Sequence, residues 1–199
     1  MFGTHFYHKR VRTAVSVFGS LFNNIHVIRQ NKAGGVISQI KVPLAYAQRR
    51  QFLSRIEEME QGQDAERKVA IKLPRMSFEI TNMVYDAARQ LPKMNAFTSA
   101  VNNSVVNRQK LYSATPYIVS FQLNVYAKNQ DDALQIVEQI LPYFSPQYTV
   151  TVKPFADIPT LKEDVPITLG SVVMYDDFEG ELQTRRTIII RTKNRQNHR

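Results

Sequence analysis

The chain has 199 residues, 43% apolar and 22% charged, with 26 Lys or Arg against 17 Asp or Glu and a formal net charge of +9. That length is enough to bury one core without metal or disulfide support, and the absence of cysteine excludes a disulfide framework, thiolate metal ligation and thiol catalysis. This composition fits the cytosol or particles assembled there, and no apolar run approaches the roughly 20 residues of a membrane span.

In chain order, Val11, Ala14, Val15, Phe18, Leu21 and Phe22 lie on one face of a helix. Because the apolar positions of the first 18 residues are periodic, the start reads as an amphipathic helix and not as a signal peptide. Val36, Ile40 and Val42 alternate after NKAGG, a linker that supplies positive φ, which predicts a β-hairpin ending near Pro43. Tyr46, Phe52, Leu53, Ile56 and Met59 predict a second helix that ends near Gly62. Residues 67–85 read as extended, with Met76, Phe78 and Ile80 at period two and a break at Pro74.

Residues 86–115 are rich in Asn, Ser, Gln and Ala and lack a firm period, so we expect a long arm or loop that orders against a neighbour. The cleanest strand follows, with Tyr117, Val119, Phe121, Leu123 and Val125 on one face and Ser120, Gln122 and Asn124 on the other. In DDALQIVEQILPYFSPQYTVTV, Asn129 is placed to cap a helix and Asp131 and Asp132 fall in its first turn, where the helix dipole favours acids. Ala133, Leu134, Val137, Ile140 and Leu141 read as its buried face, and Pro142 and Pro146 end it before the strand YTVTV. A Pro-studded loop over 153–166 leads to strand ITLGSVVMY, an acidic turn DDFEGE and a last strand RRTIIIRT. That strand either completes the domain's own sheet or adds to a partner's. We expect a single α+β domain over 1–199, a mixed and mostly antiparallel sheet flanked by a few helices, with a basic C-terminal tail at about 192–199.

The residues do not converge on catalysis. His5, His8, His26 and His198 are the only histidines, and His5 and His8 have helical metal spacing without a nearby carboxylate. No glycine-rich phosphate cradle is present. The acids of 176–181 lack the spacing of a calcium loop, so a cation there stays open as a reading beside a solvated turn or an interface with arginines. No catalytic, cofactor or metal residue is assigned.

Charge is the more informative pattern. Residues 1–56 carry nine basic residues and no acid, and residues 184–199 carry six basic residues and no acid. The middle holds the other 11 basic residues and all 17 acids. Three readings stand: contact with a polyanion, basic ends of one subunit meeting the acidic middle of another, or solvated surface.

The blocks MFGTHFY, LFNNIHVIRQ, IKVPLAYA, LPRMSFEITNMVYD and DDALQIVEQILPYFSPQY, in that order over most of residues 1–186, resemble the tail sheath stabiliser and completion proteins of T-even-like contractile-tailed bacteriophages. Family members continue well past the position of Arg185–Arg186. The resemblance implies a structural virion protein with a tail-terminator-like fold, without catalysis or cofactor. It implies a hexameric ring that caps the tube and sheath end, contacts tail tube, tail sheath or terminator proteins, and gives the head–neck connector proteins a docking face. It places the chain in the virion tail or neck, and in the host cytoplasm during assembly. No membrane partner is expected, and DNA passes through without specific binding.

The resemblance transfers no contact residues by position. From charge alone, Lys9, Arg10, Arg12, Arg185, Arg186, Arg191, Lys193 and Arg195 are candidates to meet Glu57, Glu58, Asp176 and Asp177 of a neighbour. The alternative is a basic nucleic-acid-binding assembly factor, in which Phe6 and Tyr7 beside Lys9 and Arg10 stack bases.

Overall fold

The run of β-branched and aromatic residues at 117–125 becomes the centre of the protein. A computed structural model describes residues 5, 7–31, 34–54, 73–92, 94–100, 108–153, 162–179 and 183–198. In chain order these form α1 (Arg10–Leu21), β1 (His26–Gln30), β2 (Val36–Lys41), β3 (Leu44–Tyr46), β4 (Arg75–Tyr85), β5 (Ala96–Ala100) and β6 (Arg108–Tyr112). There follow β7 (Thr115–Ala127), α2 (Gln130–Ile140), β8 (Gln147–Val152), β9 (Glu163–Glu179) and β10 (Gln183–His198). The main sheet has six strands in the order β3-β4-β7-β10-β9-β8, and only the β3–β4 pair is parallel. The hairpins β1–β2 and β5–β6 are separate two-stranded sheets. The architecture is the expected α+β, with a mostly antiparallel sheet and few helices.

One face of the sheet is buried by α1, α2 and β1. Phe18 stacks on Phe121 with ring centroids 4.5 Å apart and touches Phe78 at 5.2 Å. A Cβ on Gly19 would come within 3.2 Å of Phe78, so glycine is what lets α1 sit this close to β4. Val119, Phe121, Leu123 and Val125 of β7 and Ile188 and Ile190 of β10 complete this core. The other face carries a smaller cluster in which Phe52, on a helical segment at 49–54, stacks on Tyr126 at 5.0 Å. Asn124, read from sequence as facing away from the core, is buried here. Its amide donates to the Ser77 hydroxyl at 3.5 Å and its carbonyl accepts from Gln122 at 2.9 Å.

The hairpin expected after His26 is β1–β2, turned at Gly34 with φ +81°. Tyr46 lies in β3 and not in a helix, and the helical segment begins only at residue 49. The expected continuation through Ile56 and Met59 to Gly62, and the start of the extended run at 67–72, lie outside the described residues.

The segment 86–115 contains a 3-10 turn at Ala87–Arg89 and the hairpin β5–β6. Among the described residues its strands, AFTSA and RQKLY, form a two-stranded sheet of their own, and neither alternates apolar and polar residues in the way that periodicity detects. The segment read as a basic tail runs instead, through His198, as the end of β10, with Thr192–His198 opposite Thr115–Phe121. β10 therefore completes this chain's own sheet. β9 starts at Glu163, inside the loop expected over 153–166, and extends to Glu179 through most of the expected acidic turn.

The buried stripe of α2 also differs from expectation. Asp132, Ala133, Ile136, Val137 and Ile140 are buried, while Leu134 is half-buried and Leu141 exposed. Asn129 does occupy the N-cap position, but its side chain makes no capping bond. The stripe predicts that Ile136→Ala lowers unfolding stability by about 2–5 kcal/mol and Leu141→Ala by less than about 1 kcal/mol. Urea unfolding of the two variants measures this directly, and equal losses would refute the assigned face.

Candidate assembly surfaces

Polar groups on α2 hold the β1–β2 hairpin. The Asp132 carboxylate, 2% exposed as a residue, accepts from Arg29 Nη2 at 2.7 Å and from Nε at 3.4 Å. That hydrogen bond, and then the carboxylate's charge, raise the Arg29 pKa above its ordinary, already strongly basic value. The guanidinium is therefore charged throughout any working pH range. One and two turns further on, Gln135 and Gln139 act on the outer edge of β1. Gln135 Oε1 accepts from the Ile28 amide at 3.1 Å, and Gln139 accepts from the His26 amide at 3.4 Å while donating to the His26 carbonyl at 2.7 Å. The side-chain amides thus stand where a neighbouring strand's backbone would be.

These groups are invisible to a search for catalytic sets, yet the sequence carries their signal. Asp132 occupies a position of the stripe 132, 136, 140, where an apolar residue is the rule, and a lone acid on a buried face demands a partner. Gln135 and Gln139 share the i,i+4 spacing of one helix face.

The basic residues singled out from charge are distributed as follows. Lys9 and Arg12 are exposed at the start of α1. Arg10 is engaged within the chain, its Nη2 2.8 Å from Glu163 Oε2 at the start of β9. Arg191 and Lys193 are exposed on β10. Arg195 is opposite Ile118, and Arg185 and Arg186 are opposite Asp177 and Asp176 of β9 in the same hairpin. Glu57 and Glu58 lie outside the described residues. His5 and His8 precede α1, so helical metal spacing does not apply to them. Among the described residues, no three His, Asp or Glu are grouped to hold a metal.

Register sorts these charges along the sheet. Glu163, the anchor of Arg10, is four positions beyond Ile167, which faces Asn194. The N-terminal bases therefore gather at the same end of the sheet as Lys193 and Arg195, although they are far apart in sequence. Asp176, Asp177 and Glu179 lie at the opposite end, paired with the first residues of β10. Large apolar side chains are exposed at both ends: Met83, Val84 and Tyr85 of β4 with Met94 and Tyr112 at the basic end, and Met174 and Tyr175 of β9 toward the other, where Arg49 lies 5.7 Å over the Tyr175 ring.

A further surface lies along β8, the outermost strand. A cleft of about 480 Å³ is lined by Phe22, Ile25, Pro142, Tyr143, Phe144 and Tyr148, among others, with Phe22 and Phe144 stacked at 6.3 Å. Among the described residues, no helix is long and apolar enough to cross a membrane.

Such a molecule is an α+β scaffold whose polar groups tie elements together and whose exposed ends and edge offer surfaces to partners. The sequence profile of the T4-like virus Myoviridae tail sheath stabiliser family matches residues 5–193, and the chain belongs to that family. It is also 29% identical over 191 residues to the tail completion protein gp15 of Enterobacteria phage T4, covering 94% of this chain and 68% of that protein. The chain is accordingly a structural protein of the phage tail.

The clasp between α2 and the hairpin generates a stability prediction. Asp132→Ala removes a buried carboxylate and leaves Arg29, 42% exposed in its side chain, free to rehydrate, so the expected loss is about 1–3 kcal/mol. Asp131→Ala, at an exposed position bonded to Gln135 at 2.9 Å, should cost less than about 1 kcal/mol. Chemical denaturation distinguishes them, and an Asp131 loss as large as that of Asp132 would contradict the assignment.

Proposed function

We propose that the chain forms a hexameric ring that caps the end of the tail tube and sheath, stabilises that end, and presents the docking face for the head–neck connector proteins. The observation that carries this reading is the family match over 5–193, which spans the helices and nearly all of the main sheet. A ring requires heterologous contacts, in which one patch meets a different patch on the neighbour. The split of charge along the sequence, basic without acids over 1–56 and 184–199 and net acidic between them, supports contacts of that kind. Lys9, Arg12, Arg185, Arg186, Arg191, Lys193 and Arg195 are the basic candidates and Glu57, Glu58, Asp176 and Asp177 the acidic ones. Arg10 acts through Glu163, holding the start of α1 in place. Assembly takes place in the host cytoplasm, and the finished ring belongs to the virion tail and neck.

The net charge of +9 favours a second reading, a nucleic-acid-binding assembly factor. Salt separates the two, because phosphate contacts lose affinity steeply with ionic strength while a ring held largely by apolar surface does not. Electron microscopy of the purified chain added to tails that lack their cap should show six-fold rings on the tail ends, retained on raising salt from about 50 to 200 mM. Bare tail ends, together with a monomer that binds DNA and releases it over that same range, would overturn the ring reading.

A further inference from the structure

The two faces of strands β8, β9 and β10 differ in chemistry. Tyr148, Val165, Ile167 and Ile190 turn toward the helical layer and are buried or half-buried. The residues that alternate with them turn the other way: Thr149 and Thr151 of β8, Thr168 and Ser171 of β9, Arg191 and Lys193 of β10. All of these but Thr168 are exposed. Just past the strand ends, Lys153 and Lys162 continue the same alternation and are exposed too. The helical segment at 49–54 covers this side of the sheet around Tyr126, away from these residues.

Toward that segment the basic ground continues. A cavity of about 480 Å³ is lined by Arg49, Arg50, Glu79 and Gln122, among others, and Gln122 is opposite Arg191. The described acids on this side are engaged. Glu79 accepts from the Arg49 amide at 3.4 Å, and Asp164 accepts from the Thr151 hydroxyl at 2.6 Å.

What the face can hold follows from what it lacks. Between the Arg191 and Asp164 rows of β8, β9 and β10, no large apolar or aromatic side chain among the described residues is exposed on it. A protein partner is anchored by such side chains at the centre of the contact, and single-stranded nucleic acid by stacking on aromatics. Lysines, arginines and hydroxyls are instead the groups that bind the phosphates of a duplex. From Ser171 to Asp164 the face runs about 20 Å at roughly 3.3 Å per residue. That length of duplex carries about a dozen charges, at one per roughly 1.7 Å.

We propose that this bare face binds the phosphate backbone of double-stranded DNA, irrespective of base sequence, with Lys153, Lys162, Arg191 and Lys193 as the charged contacts. The choice of DNA rests on the chain's place in a phage tail, while the surface itself does not depend on the ring reading. It takes Arg191 and Lys193 out of the candidates for subunit contact.

The test measures binding of the full chain to a fluorescent DNA duplex of mixed sequence, and to one of its single strands, from about 50 to 200 mM salt. Four phosphate contacts give log K against log salt a slope of about −3.6. R191Q/K193Q should bind the duplex at least tenfold more weakly at the lower salt and flatten the slope by about 2, with capping of bare tails unchanged. R12Q/K41Q removes the same charge from exposed positions in the helical layer and should leave duplex affinity and slope as they were. Urea unfolding checks each variant; if R191Q/K193Q does not fold, K153Q/K162Q, which lies outside the strands, takes its place with the same expected loss. Absence of duplex binding by wild type at about 50 mM salt refutes the proposal, as does equal or tighter binding of the single strand. An equal loss in R12Q/K41Q reduces the effect to net charge and refutes it too. Unchanged duplex affinity in R191Q/K193Q also overturns it, and if rings on tails are lost at the same time, these bases are subunit contacts and the ring stands. If wild type makes no rings yet the duplex results hold, the ring reading fails and this inference survives it.

Discussion

The constraint on which this structure turns is that one sheet, much longer than its helices, must be covered on both faces near its middle. Phe18 on Phe121 and the α2 stripe on β7 and β10 seal one side, while Phe52 on Tyr126 seals a smaller area of the other. Burial of β7 is thus two-sided near Asn124 to Ala127 and fades toward Thr115. Two-sided burial forces polar residues there to find partners, which is why Ser77, Gln122, Asn124 and the Tyr126 hydroxyl are linked to one another. What the helices leave uncovered is left by geometry, since no 11- or 12-residue helix can shield a 16-residue strand.

Edges follow a similar logic. The outer edge of β1 is met by Gln135 and Gln139 of α2, and β3 is only three residues long. β8 is different: QYTVTV ends the sheet order, carries no charge and no proline within the strand, and runs beside an aromatic cleft. Natural edges usually carry some device against adding a strand. The main sheet thus closes one border with a very short strand and ends the other with a plain one.

Legibility from sequence tracked burial. Where apolar residues recur at one period toward the helix-covered core, as in α1, β4 and β7, the period named the elements and most of their core residues. Where the sequence carries no alternation, as in β5–β6 and the last residues of β10, composition resembled a loop or tail, and strand pairing came from register that no local pattern records. Asp132 misled for another reason: an acid in the first turn of a helix has an adequate local explanation, which hides a buried partner 103 residues away. The charge asymmetry was plain in the sequence. That the two basic termini converge on one end of the sheet was not, because it depends on Arg10 reaching Glu163 and on β10 running antiparallel beside β7.

That convergence bears on symmetry. Ends about 33 Å apart lie several Debye lengths from one another at physiological salt, roughly 8 Å, so each end is felt mainly by what docks there. Two copies joined basic end to basic end oppose like charges, which raises the cost of a two-fold dimer through that end. A head-to-tail arrangement avoids that repulsion at every contact. Such contacts produce a closed ring when the rotation between neighbours closes and a filament when it does not. The charge pattern therefore favours the heterologous class of assembly without choosing its number. In the proposed cap that choice falls to shape, in the way the twisted ends of one sheet meet the next, or to the symmetry of the tail on which the subunits gather.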